Sequence, residues 1–486
     1  MSLHLDYTGH PFLDVGLATL TAFARKRHPR DLTTDDLETA ARWMAEHYVV
    51  DPLKSFLTVA FPNSGFTQPA YNKKPEKRRV YARRVLFAAL DATLTAERDP
   101  FTGRPAAAVP YDVKGTLPPG RAFRQHVPLL SGEGYINFHP YGDAGVPLSG
   151  EAMLAFQALP LGCAKVGGRL LAVHSDDPRI LFHFARTFLE TNRKHVQAAR
   201  AAGERKLPET SPHKPKTTLV EILVDALQER REAVRGVPPT VTGYYFTNSG
   251  QGAELDLFPL PLEVSDFLQT ALNPKYRPAW DQLVARAWQI TKAKRGQSEA
   301  PPPRYNRLYE DLFALPQDAP GFIRRYFLRR RHGAWGKDDP TAAYDLRREA
   351  ALLSWQLTEL FLRKVMLMDA ERIQHIRELG DALAEYIVGQ NDRRFFRAFL
   401  TAQRYDHLRM ALIKASHAEV KRGRPPLVTL ERFLAVFEEA EGVPYADWKL
   451  GRDLVLIRLF EQLYAKGWLQ EHAKEVELPE TEDESE

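Results

Sequence analysis

Asn63, Ser64, Phe66, Gln68, Tyr71 and Asn72 lie in one short stretch, and Lys73, Lys74, Lys77, Arg78, Arg79, Arg83 and Arg84 follow it against a single acid, Glu76. Amides pair with base edges, aromatic rings stack on bases, and lysine and arginine neutralise phosphates. The segment FPNSGFTQPAYNKKPEKRRVYARR (61–84) thus holds the side-chain types that nucleic-acid recognition uses. The same composition also describes a solvated helix start behind a surface loop. Chemistry alone leaves both readings open.

Two further basic clusters stand out. FIRRYFLRRR (322–331) sets Arg324, Arg325, Arg329, Arg330 and Arg331 among aromatics. Arginine can grip phosphate with two parallel hydrogen bonds and stack on bases. Pairing with nearby acids such as Asp338 and Asp339 accounts for the same residues. KRGRPP (421–426) carries Lys421, Arg422 and Arg424 and matches the core of an AT-hook, whose arginines lie extended in a narrow minor groove. A proline-terminated loop between two helices explains it equally.

Catalytic constellations are sparse. His174, Asp176 and Asp177 offer metal-ligand types, and Asp406-His407 is an isolated acid–histidine pair. A nuclease needs several such groups converging on metal ions, and no second cluster accompanies these. A strand end leading into an aspartate helix cap is the plainer reading of 174–177. Neither a phosphate-cradling GxxxxGK[ST] loop nor a dinucleotide fingerprint occurs. The single cysteine, Cys163, excludes an internal disulfide and a cysteine-rich zinc site, so no cofactor is expected.

The 486 residues leave room for two or more domains. Hydrophobic content of 44% and charged content of 27% fit a water-soluble globular protein. No apolar run is long enough for a membrane span, and MSLHLDYTGH lacks the pattern of a secretion signal, so a cytoplasmic protein is expected. The net charge is +5, but residues 475–486 hold seven acids and no base, which leaves +12 on the other 474 residues. A basic body suits a polyanionic partner, and the acidic tail is expected to be disordered.

The opening loop needs a rigid scaffold to aim it. Pro11 suits a first helical position, and Leu13, Leu17, Leu20 and Ala24 share one face. Thr33 with Asp36 predicts a second helix running to about Tyr48. SFLTVAF (55–61) is apolar and partly β-branched and is expected as a buried strand. Residues 99–150, rich in Gly and Pro, read as loops with short strands. Helices are expected at 151–159, 177–200, 219–231, 264–272 and 279–294, a strand at 168–174, and a hairpin at 241–246 and 253–260. GQSEAPPP (296–303) reads as a linker. Beyond about residue 340, long helices are predicted at 342–368, 370–389, 393–418, 430–441 and 453–468, an antiparallel bundle. The fold class is therefore α+β, a mixed N-terminal region followed by an all-α C-terminal bundle. The expected domains are 1–295, a basic linker at 296–340, a bundle at 341–474 and the tail at 475–486.

GHPFLDVGLATLTAF (9–23), FPNSGFTQPAYN (61–72), FTGRPA (101–106) and LPLGCAKVGGRLLAVHSDDP (159–178), in that order and spacing, resemble the large subunits of type I CRISPR effector complexes (Cascade), nearest the type I-B branch. The resemblance implies a non-enzymatic subunit of an RNA-guided surveillance complex. A guide RNA (crRNA) reads sequence by pairing, while the protein reads a short protospacer-adjacent motif (PAM) in double-stranded target DNA, helps open it and stabilises the R-loop. It also implies contacts with the guide-handle cap, backbone and small subunits, and with a helicase–nuclease or a transposition adaptor. The C-terminal bundle would resemble the small subunit, with Met366 or Met368 as an internal translation start. On this reading Asn63, Ser64, Gln68 and Asn72 meet base edges or the guide handle, and Phe66 and Tyr71 stack or wedge. Lys73, Lys74, Lys77, Arg78 and Arg79 hold phosphates, while Arg324, Arg325, Arg329, Arg330, Lys421, Arg422 and Arg424 guide duplex or displaced strand. Many members of the branch carry paired cysteines near the FTG block and before LPLG, forming a zinc-ribbon-like element. Here those neighbourhoods read Glu97-Arg98-Asp99-Pro100 and Ser149-Gly150-Glu151-Ala152, so packing must hold them instead. Two other classes remain: a metal-dependent nuclease using His174, Asp176 and Asp177, and a guide-independent architectural DNA-binding protein using KRGRPP.

Overall fold

The computed structural model describes residues 3–112, 118–130, 145–210, 214–231, 237–248, 252–290, 304–329, 344 and 346–472. The linker 296–303, Arg330, Arg331 and the acidic tail lie outside the described residues. The fold is α+β, with short strands in the N-terminal half and mostly helices beyond. The chain divides into two units, Met1–Leu260 with Ile290–Arg304, and Pro261–Gln289 with Tyr305–Glu486.

Helix Pro11–Phe23 is the centre of the first unit. Its residues from Phe12 to Thr21 are all buried, the mark of a helix packed on every side. Helices Gly150–Ala158 and Pro178–Ala201 flank it. Helix Thr34–His47 starts at Thr33, whose side chain and that of Asp36 cap each other's backbone reciprocally, as the spacing predicted. An antiparallel sheet runs in the order Ala164–Val166, Arg169–Ser175, Val241–Thr247, Glu254–Leu260. The predicted hairpin is thus present, with Val241 opposite Leu260 and Thr247 opposite Glu254.

The stretch 55–61 is not a strand. Helix Leu53–Leu57 leads into turns that end at Phe61. Leu53, Phe56, Leu57, Ala60 and Phe61 are all buried, and their spacing is helical, which outweighs the β-branched Thr58 and Val59.

The neighbourhoods 97–100 and 149–152 are joined by a buried carboxylate. Asp99 is fully buried and accepts hydrogen bonds from Ser149 N (3.0 Å), Ser149 Oγ (2.7 Å) and Phe101 N (2.8 Å). Ser149 in turn accepts from Ala152 N and caps helix Gly150–Ala158. Arg104 closes the joint with an ion pair to Glu151 at 2.9 Å. One carboxylate ties the turn after strand Leu94–Arg98 to the start of that helix.

The second unit begins earlier than expected. Helices Leu262–Ala271 and Arg277–Arg286 belong to it because Phe267 packs on Trp280 and Phe361, and Asp266 pairs with Lys364 at 2.8 Å. The helix expected at 279–294 stops at Arg286. The one expected at 342–368 breaks at Leu353, and Ser354 caps a new helix, Trp355–Lys364. That expected at 393–418 is two helices, Arg393–Leu400 and Tyr405–Lys421. The one expected at 430–441 ends at Phe437 and turns into a short strand, Glu438–Ala440. Helix Trp448–Ala465 is mostly buried and packs on Ala370–Gln390. Among the described residues no helix is long and apolar enough to cross a membrane.

Replacing Asp99 by alanine leaves the two buried donors of Ser149 and the part-buried N–H groups of Phe101 and Thr102 without their acceptor and should cost about 3 kcal/mol of stability. The midpoint of chemical unfolding reads this directly. A loss under about 1 kcal/mol would mean that packing, not the carboxylate, holds the joint.

Candidate nucleic-acid interface

Residues 61–72 form a coil of turns wound on itself, not an extended loop. Thr67 N and Gln68 N both donate to Ser64 O (3.1 and 2.9 Å), and Thr67 Oγ1 donates to Phe61 O (2.7 Å). A short 3₁₀ turn, Pro69–Tyr71, follows. Asn63 adopts a left-handed backbone with φ of 58°, which asparagine tolerates better than most residues.

Phe66 anchors the coil. It is fully buried and meets Tyr48 and Tyr81 edge-on, with ring centroids 5.4 and 4.8 Å away. It therefore cannot stack on or wedge between bases, contrary to the expectation. Ser64 is buried as well and faces Thr67 Oγ1 at 3.2 Å, so base-edge contact is closed to it. Gly65 lets the coil press onto Tyr81, since a Cβ there would lie 2.1 Å from the ring.

Helix Pro75–Leu86 begins with proline in its first turn, where the missing N–H costs nothing. Its buried stripe includes Arg78, Tyr81, Ala82, Val85 and Leu86. Arg78 turns inward and donates to Asn72 Oδ1, which corrects its assignment to phosphate. The same bond commits the Asn72 carbonyl to holding the loop. Arg83 pairs with Asp91 at 2.6 Å, and Arg84 donates to Asp112 O. Lys73, Lys74, Lys77 and Arg79 are exposed and make no ion pair among the described residues. Lys77 lies 5.6 Å from the ring of half-buried Tyr71.

Beside the coil is a cleft of about 340 Å³ lined by Thr58, Asn63, Thr67 and Pro69 from the loop segment and by Gly168 and Thr247 from the sheet region. Sequence reading named Asn63 but missed the threonines, which carry no signal until the sheet brings Thr247 and Gly168 to the loop. Gln68 is half-buried nearby in sequence.

Arg324, Arg325 and Arg329 serve packing in the second unit. Arg325 is buried and pairs with Asp311 and, at 3.9 Å, with Asp318. Arg329 is buried against Glu349, which also holds Arg286. Arg324 pairs with buried Asp453 at 2.6 Å. Their acidic partners among the described residues are Asp311, Asp318, Glu349 and Asp453, and Asp338 and Asp339 lie outside the described residues. These arginines do not form a surface for duplex or displaced strand.

KRGRPP is a helix stop. Gly423 is left-handed (φ 76°), Arg424 N donates to Glu419 O and Gly423 N to Val420 O, which satisfies the last carbonyls of Tyr405–Lys421. The backbone is thus not the extended form an AT-hook needs, though Lys421, Arg422 and Arg424 are all exposed. Glu419 accepts from both arginines, at 2.9 and 3.2 Å. A basic face went unnoticed in the sequence: Arg393, Arg394 and Arg397 are exposed opposite buried Phe395, Phe396, Phe399 and Leu400. The i, i+3, i+4 spacing of RRFFRAFL was the available signal.

His174, Asp176 and Asp177 have separate tasks. His174 Nε2 lies 3.2 Å from Asp14 Oδ2, Asp176 accepts from Thr240 N, and Asp177 caps helix Pro178–Ala201. Among the described residues no three His, Cys, Asp or Glu side chains are grouped so as to hold a metal. No family model, no curated protein and no solved structure matches the chain.

Two predictions follow from the seat of the coil. Gly65→Ala should lower stability by about 2 kcal/mol, because an added methyl group meets an aromatic ring that is itself enclosed. Thermal unfolding checks the loss, and faster proteolysis within 61–72 checks its location. Beneath Tyr81, burial pushes the His126 imidazole down to about 4. The folded state therefore binds fewer protons than the unfolded one between about pH 4 and 6.5, and stability present above that window falls as pH drops through it, by up to about 3 kcal/mol. His126→Gln should flatten this pH dependence in chemical unfolding.

Proposed function

We propose that this chain is a DNA-recognition subunit of an RNA-guided surveillance complex of the type I CRISPR kind. In this reading the surface around Asn63 and the start of helix Pro75–Leu86 binds nucleic acid. The observation that carries it is the joining of two features: an open cleft bordered by Asn63, Thr67 and Thr247, and the exposed cations Lys73, Lys74, Lys77 and Arg79 that follow within the same segment. The order of the four sequence blocks supports the choice of complex.

Roles divide by exposure. The Asn63 amide can both donate to and accept from a base edge, and the neighbouring threonine hydroxyls can do either. The four cations supply a sequence-independent attraction by releasing counterions from phosphate. Gln68, Tyr71 and Asn72, the last with its carbonyl held by Arg78, are the remaining polar or aromatic loop groups with surface to offer. Guide RNA and PAM-bearing duplex are the proposed ligands, and the other subunits and a helicase–nuclease or transposition adaptor the proposed protein partners.

The test is quantitative binding with the chain assembled alongside its neighbouring gene products and guide. Asn63→Ala should weaken binding to PAM-bearing duplex by about tenfold, the scale of one good base contact, and leave PAM-free duplex nearly unchanged. Changing Lys73, Lys74, Lys77 and Arg79 to alanine should weaken binding to every sequence and lower the salt slope by about one unit per lost phosphate contact. An unchanged affinity and slope for both DNA and guide RNA in the quadruple variant would refute the proposed surface. Failure of the chain to co-purify with a small RNA of fixed length would refute the proposed complex.

A further inference from the structure

The second unit has a basic face built from two segments. Helix Arg393–Leu400 turns its phenylalanines inward and leaves Arg393, Arg394 and Arg397 exposed on the other side. The helix stop at 421–424 adds exposed Lys421, Arg422 and Arg424. The two segments meet at Tyr386, whose hydroxyl donates to Asp392 at 2.7 Å and is also reached by Arg422. Asp392 caps helix Arg393–Leu400 through Phe395 N. The acids within these segments, Asp392 and Glu419, are therefore already engaged, and six cations outnumber them.

The chain leaves the described structure on the phenylalanine side of helix Arg393–Leu400, next to its N-terminal end at Asn391. Trp468 packs edge-on against Phe396, centroids 5.2 Å apart, and its Nε1 donates to Asn391 Oδ1 at 3.2 Å. His472 stacks on Trp468 at 4.5 Å. Two residues later comes ELPETEDESE and its two preceding residues, the segment 475–486, with seven acids and no base.

We infer that the acidic segment 475–486 docks on the basic face formed by Arg393, Arg394, Arg397, Lys421, Arg422 and Arg424 and competes there with other polyanions. Charge complementarity and the exit point together support this occupant. Twelve residues extend to about 40 Å, whereas an eight-residue helix is about 12 Å long, so reach does not limit the contact. A segment tethered this closely is present at an effective concentration of about millimolar, enough for weak individual ion pairs to act together. The contact is electrostatic and screens with salt, because Val476, Leu478 and Pro479 are the segment's only apolar side chains.

Zero-length carbodiimide coupling of the full chain, followed by mass spectrometry, tests the contact without any nucleic acid. Carboxylates of 475–486 should couple to Lys421 within one chain at low salt, and the product should disappear in high salt and in an Arg394→Glu, Arg397→Glu variant. Coupling only to Lys73, Lys74 or Lys77, or only between chains, would overturn the assignment. Binding of mixed-sequence duplex DNA is the second readout. A chain ending at residue 474, and a full-length chain with the seven acids changed to their amides, should both bind about fivefold tighter at low salt, with the gain lost at high salt or in the doubly substituted variant. Equal affinity with and without the acids would overturn the competition.

Discussion

Asn248 is the joint on which the first unit's candidate surface depends. It lies fully buried one residue beyond strand Val241–Thr247. Its backbone N–H donates to Val59 O at 2.8 Å, and its side-chain amide donates to Ala60 O and Arg124 O at 2.9 and 3.1 Å. Arg124 returns two bonds, to Asn248 Oδ1 and Asn248 O. Only a side chain with both donors and an acceptor can satisfy this arrangement, and a buried polar group left unmatched would be costly. The sheet is thereby fastened to the two residues before Phe61, where the coil begins. Thr247 and Asn63 line one cleft because this joint fixes the end of the strand against the start of the loop.

The distribution of cations follows from the difference between arginine and lysine. A planar guanidinium can meet carboxylates with several hydrogen bonds and tolerates burial when so paired. Arg325 and Arg329 use that property inside the protein, against Asp311 and Glu349, while Arg78 turns inward onto the neutral Asn72 amide oxygen. Buried pairs of this kind add little net stability over apolar packing, but breaking one leaves an uncompensated charge, so they fix how elements sit. Lysine, a strongly hydrated point charge, stays at the surface, and the three lysines of 73–77 are all exposed.

What was legible in the sequence had local causes. Pro11, the Thr33–Asp36 pair and Asp177 mark helix starts by chemistry confined to a few residues, and the helices begin there. The hairpin at 241–260 is written in an alternation that the sheet reproduces. Illegible features depended on distant partners. Arg324 finds Asp453 and Arg329 finds Glu349 outside the segment, so FIRRYFLRRR reads as a surface patch. Asp99 and Ser149 meet in the same way, and no local pattern announces that a carboxylate will join them. The stretch 55–61 is different, because its buried residues recur at helical spacing although Thr58 and Val59 favour a strand.

Burial of the loop's phenylalanines constrains how any base could be received there. Phe61 and Phe66 are fully enclosed, so the aromatic surface left in 61–72 is the half-buried ring of Tyr71. One side of that ring faces the Lys77 ammonium at 5.6 Å. A base stacking on Tyr71 would have to displace this cation or use the opposite side, and displacement would move Lys77 toward the phosphate of the same nucleotide. The attraction between ammonium and ring is modest at an exposed site, about 0.5–1 kcal/mol, and phosphate is the stronger partner. On the proposed nucleic-acid surface, stacking and phosphate neutralisation at this position would therefore be coupled through a single lysine, Lys77, beside the Tyr71 ring.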